Sequence, residues 1–146
     1  MTRTLSHELA HQWFYSLVGN DQARDPWLDE GLATYAQFTH DHVTKFAGVR
    51  IPPAAAGRLG APMAYWDRLP YSDYAAGVYL LGERAIASLG PQRRVDCALR
   101  GYVATNAYGI ATQPGLARAL ARVIPSAPAQ LGRFGASVRS EPDSGA

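Results

Sequence analysis

The 146-residue sequence predicts an all-α fold, and three observations lead there. Apolar residues recur at helical spacing, as in Leu32, Tyr35, Ala36 and Phe38. Helix-starting and helix-stopping residues punctuate the chain, Pro26 ahead of one run and Gly90-Pro91 after another. Between two such runs, residues 48–70 are rich in Pro, Gly and Ala and read as a long loop. A chain of this length is one domain and can bury a real core.

Taken in order, the first helix is expected from about Thr4 to Val18 and the second from about Trp27 to Phe46. The intervening Gly19-Asn20-Asp21-Gln22-Ala23-Arg24-Asp25-Pro26 carries turn chemistry, which would fold the second helix back on the first. A third helix spans about Ser72 to Leu89 and stops at Gly90-Pro91. Further helices are expected at 92–106, 113–124 and 128–135. The domain thus covers 1–135 and a tail covers 136–146, whose polar end, Ser140 to Ala146, should be disordered. Tyr65-Trp66, in the long loop, either line a substrate pocket or anchor the loop to the core.

The first helix contains His7-Glu8-Leu9-Ala10-His11. Residues four apart on a helix lie about 40° apart around the axis, so both imidazoles share one face and can bind a single metal ion. Glu8 points roughly 100° away from His7, poorly placed to ligate but able to reach a metal-bound water. Catalytic zinc needs a third protein ligand and an open position. A third histidine in the HExxHxxGxxH manner is excluded, because Phe14 and Leu17 occupy the required Gly and His positions. A glutamate from the second helix is the remaining common solution, and Glu30 follows His11 after eighteen intervening residues. Taken singly, these side chains are compatible with ordinary partly buried histidines and solvated carboxylates; the joint pattern points to a metal.

His7-Glu8-Leu9-Ala10-His11-Gln12-Trp13-Phe14, Val18-Gly19-Asn20 and Trp27-Leu28-Asp29-Glu30-Gly31-Leu32-Ala33-Thr34-Tyr35 resemble the zinc-binding core of the membrane alanyl aminopeptidase family. These are gluzincin metallopeptidases, including leukotriene-hydrolase-like and bacterial enzymes. The likeness is close over residues 5 to about 38 and looser to about 124. It implies one Zn2+ held by His7, His11 and Glu30, with Glu8 activating the water for peptide hydrolysis. It also implies a tyrosine that stabilises the oxyanion, in a Tyr-x-x-Gly motif with another tyrosine five residues before. Tyr79 with Gly82 and Tyr74 fits that pattern, while Tyr74-Ala75-Ala76-Gly77 offers a second register. Tyr79 is therefore assigned the catalytic role and Tyr74 a substrate-binding one. Glu83-Arg84 departs from the small residue the family has there, and reads as a solvated helix face. The fold implied is the helical half of a thermolysin-like catalytic domain, lacking the upstream sheet.

Family members carry, before the zinc helix, a mixed sheet and a Gly-x-Met-Glu-Asn-like loop that binds the substrate amino terminus. Here only six residues precede His7. The expectation is a truncated piece, or a short protein with an open site, with weak or absent peptidase activity by itself. The alternative is a non-catalytic helical remnant or metal-retaining binding module.

The net charge of +2 implies neither nucleic acid nor a membrane surface as partner; the partner expected is a peptide substrate. Lys45 is the only lysine, and Arg93-Arg94 is too short for a nucleic-acid patch. Cys97 is single, so no intrachain disulfide exists, and it is expected to pack as a small apolar residue. His40 and His42, two apart, should face different sides at the surface. No stretch approaches the roughly 20 apolar residues of a membrane span. The cytoplasm is the default location, since any leader would lie upstream.

Overall fold

The computed structural model describes residues 2–43 and 48–139. Helix α1 (Thr2–Ala10) leads through a wide turn to strand β1 (Gly19–Asn20), and α2 (Trp27–His40) follows. After the long loop come α3 (Met63–Trp66), α4 (Tyr71–Tyr74), a π-helical segment (Ala75–Leu80) and α5 (Leu81–Ala87), the last three one continuous rod. Helix α6 (Gln92–Asn106), strand β2 (Ile110–Ala111), α7 (Gln113–Ala121) and α8 (Ala127–Arg133) complete the order.

The fold is helical as expected, with differences that bear on the site. The first helix does not run to Val18. Regular helix stops at Ala10; the Gln12 and Trp13 amides bond three residues back, Phe14 four back, and those of Ser16, Leu17 and Val18 five back, to His11, Gln12 and Trp13. Tyr15 sits there at φ +123°, a conformation that β-carbon-bearing residues rarely adopt. Gly19-Asn20, read as turn, instead pairs in parallel with Ile110-Ala111, so two segments distant in sequence fix the turn between α1 and α2. Helix α2 ends at His40; the end expected near Phe46 lies outside the described residues, as does the tail from Ser140. Short α3 interrupts the long loop, and the helices expected to end at 124 and 135 stop at Ala121 and Arg133.

The core centres on α2. Trp27, Leu28 and Leu32 are buried against Val78, Leu81, Ala85 and Ile86 of the rod. Burying each of the Leu, Val and Ile side chains among them stabilises by about 1.5–3 kcal/mol. Gly31 of α2 and Gly82 of α5 let the two backbones touch, and a β-carbon on Gly82 would lie 2.8 Å from the Gly31 Cα. Helix α6 adds Val95, Ala98, Leu99 and Tyr102 to the core. Cys97 lies off that stripe and is exposed, not packed as a small apolar residue. The long loop is pinned by its aromatic pair. Trp66 is 1% exposed, covers Gly77 and donates from Nε1 to the Ala61 carbonyl, while the Tyr65 hydroxyl donates to the Ala54 carbonyl. Of the two readings of Tyr65-Trp66, the anchor is the one realised. His40 and His42 are exposed. Among the described residues, no helix is long and apolar enough to cross a membrane.

Candidate metal centre

His7 lies in the last turn of α1 and His11 just beyond its end, so both imidazoles emerge on the side that faces α2. Glu30 belongs to the first turn of α2 and points back at them. Its Oε2 stands 3.0 Å from His7 Nε2 and 3.4 Å from His11 Nε2. The two rings meet edge to face, 4.9 Å between centroids. His11 Nδ1 is 3.0 Å from the Phe14 carbonyl, and only an N–H can donate to that oxygen. In the neutral imidazole Nε2 is thereby left as the lone-pair nitrogen aimed into the cluster. This orientation of a ligating imidazole by a backbone carbonyl is typical of metal centres.

The three ligand atoms lie within 4.8 Å of one another. Tetrahedral zinc bonds of about 2.0–2.1 Å place neighbouring ligand atoms about 3.3 Å apart, close to both histidine–glutamate separations. The residues therefore fit one zinc ion. In the metal-free chain Glu30 is the hub. Burial alone would raise its carboxyl, but hydrogen bonds with His11 and His7 outweigh that and hold it at about 2. The hydrogen bond to Glu30 conversely pushes His11 up to about 9, against the opposing effect of burial.

Both tyrosines reach this hub because the rod is locally π-helical. In an α-helix, residues five apart lie about 140° apart around the axis, whereas π-type i→i+5 bonding widens the turn and brings them closer to one face. Tyr79 stacks on His7 with centroids 5.8 Å apart and also bonds to Glu30. Tyr74 lies 5.7 Å from Tyr79, edge to face. Burial, the Glu30 charge and Tyr74 push the Tyr79 phenol above its ordinary range. Glu8 is exposed beside His7. Glu83, after Gly82, is half-buried rather than fully solvated, and Arg84 donates to the Val49 carbonyl.

Two cavities flank the cluster. One of about 580 Å³ is bordered by His7 and Tyr79 and walled by Phe38, Val49, Ala76 and Leu80. The other, about 280 Å³, lies on the far side of Glu30 against Gln22, Met63 and Tyr74. Asp29 also borders it, a buried carboxylate that sequence reasoning passed over. Its signal was an acidic residue in the first turn of the helix, directly before Glu30.

Residues 1–50 match the peptidase family M1 domain. Endoplasmic reticulum aminopeptidase 1 of Rattus norvegicus is 50% identical over 44 residues, which are 30% of this chain and 5% of that protein. Aminopeptidase N of Rattus norvegicus is 56% identical over 34 residues, 23% of this chain and 4% of that protein. The chain thus matches only a small part of these curated relatives. An M1 zinc metallopeptidase from Deinococcus radiodurans shares the fold, with a TM-score of 0.67 at 24% identity over 97% of this chain and 34% of that one.

Proposed function

We propose that the chain belongs to peptidase family M1, whose model its residues 1–50 match, and carries the metal centre of a zinc-dependent peptidase of the aminopeptidase type. His7, His11 and Glu30 would hold the ion, and the observation that supports this most directly is the convergence of their three ligand atoms. Zinc, when bound, supplies Lewis acidity and lowers the pKa of water to about 7.

The chain's own residues supply the rest. Glu8, one position from His7, takes a proton from the attacking water and delivers it to the leaving amine. The Tyr79 phenol stays protonated because burial and the neighbouring negative charge disfavour its ionisation. It therefore offers an O–H to the carbonyl oxygen as that atom gains charge, while Tyr74 packs edge to face against it. The largely apolar walls of the larger cavity suit an apolar side chain of the peptide.

As a free polypeptide the 146 residues are expected to turn over slowly, because Glu8 and its neighbours Leu5 and Leu9 stand open to water. Electrostatic stabilisation weakens in such an environment. Zinc content by elemental analysis, wild type against Glu30→Ala, tests the ligand set; one ion in wild type and loss in the variant is expected, and equal zinc in both removes Glu30. Robust hydrolysis of an amino-acid anilide by the purified chain would overturn the slow-turnover reading.

A further inference from the structure

We propose that Asp29 is a positioning residue for Glu30, setting the first turn of α2 so that the Glu30 carboxylate faces His7 and His11. The inference rests on the reading of those three as zinc ligands. Asp29 is 1% exposed, and a carboxylate is removed from water only at a free-energy cost that needs matched donors. It has them. Asn20 Nδ2 donates to Oδ1 at 3.0 Å and Gln22 Nε2 to Oδ2 at 2.5 Å.

Those donors are themselves held. Asn20 belongs to β1, paired with β2, and its Nδ2 also donates to the Asp25 carbonyl at 3.0 Å. Gln113, at the start of α7, donates to Asp25 Oδ1 at 2.7 Å. The turn ahead of α2 is thus tied to two distant elements, and Asp29 is where the tie enters the helix. Pro26, at the helix start, provides no side-chain cap of its own.

The alternative that Asp29 closes off is visible. Glu30 borders the cavity of about 280 Å³ on its far side, large enough to receive its carboxylate if the first turn rotated. Asp29 and Gln22 line the same cavity, and their bond holds that wall in place.

The test is zinc affinity by competition with a chromogenic chelator, together with the visible spectrum of the Co2+ derivative. Asp29→Ala should weaken zinc binding by about 10–100-fold, as loss of an outer partner of a ligand does, and alter the Co2+ bands. Gln22→Ala, in the exposed turn and safe for folding, should weaken it by roughly 3–10-fold. Asp29→Asn keeps an acceptor for Asn20 and should recover to within about fivefold of wild type. Gln113→Ala cuts the network further from Glu30 and should lower Tm while leaving zinc affinity within about threefold. Wild-type affinity in both Asp29→Ala and Gln22→Ala overturns the proposal. So does a Gln113→Ala loss equal to that of Asp29→Ala, or an Asp29→Asn as weak as the alanine variant. If Glu30→Ala itself binds zinc like wild type, the ligand assignment fails first, a distinct result.

Discussion

Helix α2 meets its two neighbours in opposite ways, and adjacent residues carry the difference. Gly31 touches Gly82 of α5 backbone to backbone, with no side chain between. Glu30, one position earlier, crosses to α1 through the tip of its side chain and meets two imidazoles. At that contact the α5 seam is close-packed backbone with no titratable group. The α1 seam is polar, and protons or metal compete for it. The glycine contact fixes how closely α2 lies against the rod, and so helps align the helix from which Glu30 reaches α1.

The largest expected effect separates the two seams. Glu30→Gln keeps the size of the side chain and removes its charge. Zinc affinity should fall by more than about 100-fold, beyond the range seen for outer-shell changes, while far-UV circular dichroism of the metal-free chain stays as in wild type. A variant that loses helicity along with zinc would show that the seams are not separable.

Next in size is Gly82→Ala. Its β-carbon would meet backbone, which cannot rotate away, at 2.8 Å from the Gly31 Cα. Overpacking of this kind costs about 1–3 kcal/mol. For a chain of this length that is roughly 2–4 °C in Tm per kcal/mol. The metal site should weaken only as a consequence of the shifted helix. An unchanged Tm would mean that the α5 seam has slack, and the alignment argument would fall.

The α1 seam, by contrast, should respond to pH. His11 is raised from 6.5 to about 9, so its contribution to folding is fully present below 6.5 and is lost as pH rises through about 9. Glu30 is lowered from 4.5 to about 2, so its contribution is present above 4.5 and lost as pH falls through about 2. The metal-free pair therefore stabilises most between 4.5 and 6.5. Since His11 must be neutral to ligate, zinc binding at pH 7 should release about one proton. Calorimetry in two buffers of different ionisation enthalpy measures this. No release in wild type, or equal release in Glu30→Gln, would show that His11 is not held protonated by Glu30.

How much of this was legible beforehand follows the range of the interactions. Glu30 could be read because a third histidine was excluded and the segment around it resembles a known family, and His7 and His11 because helical spacing is a local property. Helices α2 and α6 were readable for the same reason, from their apolar stripes and breakers. The β1–β2 pairing was not, since Gly19 finds Ile110 only in the folded chain. Asp29 was hidden likewise, because the network behind it closes through Gln113, 88 positions from its partner Asp25. The π-helical segment was missed because periodicity assumes 3.6 residues per turn, and here packing overrides it.

The smallest expected effect concerns strain, and it too distinguishes the seams. Tyr15 stands at φ +123° in the turn directly after His11, its amide donating to the Val18 carbonyl at 2.9 Å. A bulky residue in such a conformation costs about 1–3 kcal/mol. Glycine adopts it freely, at about 0.5–1 kcal/mol of extra chain entropy lost on folding. The Tyr15 side chain is 48% exposed, so little burial is forfeited on removing it. Tyr15→Gly should therefore stabilise the metal-free chain by about 1 kcal/mol, a rise of roughly 2–4 °C in Tm. If zinc affinity moves at the same time, the strain was helping to hold the His11 turn. If Tm falls, the tyrosine makes contacts worth more than its backbone strain, and the metal-bearing seam is packed as firmly as the glycine one.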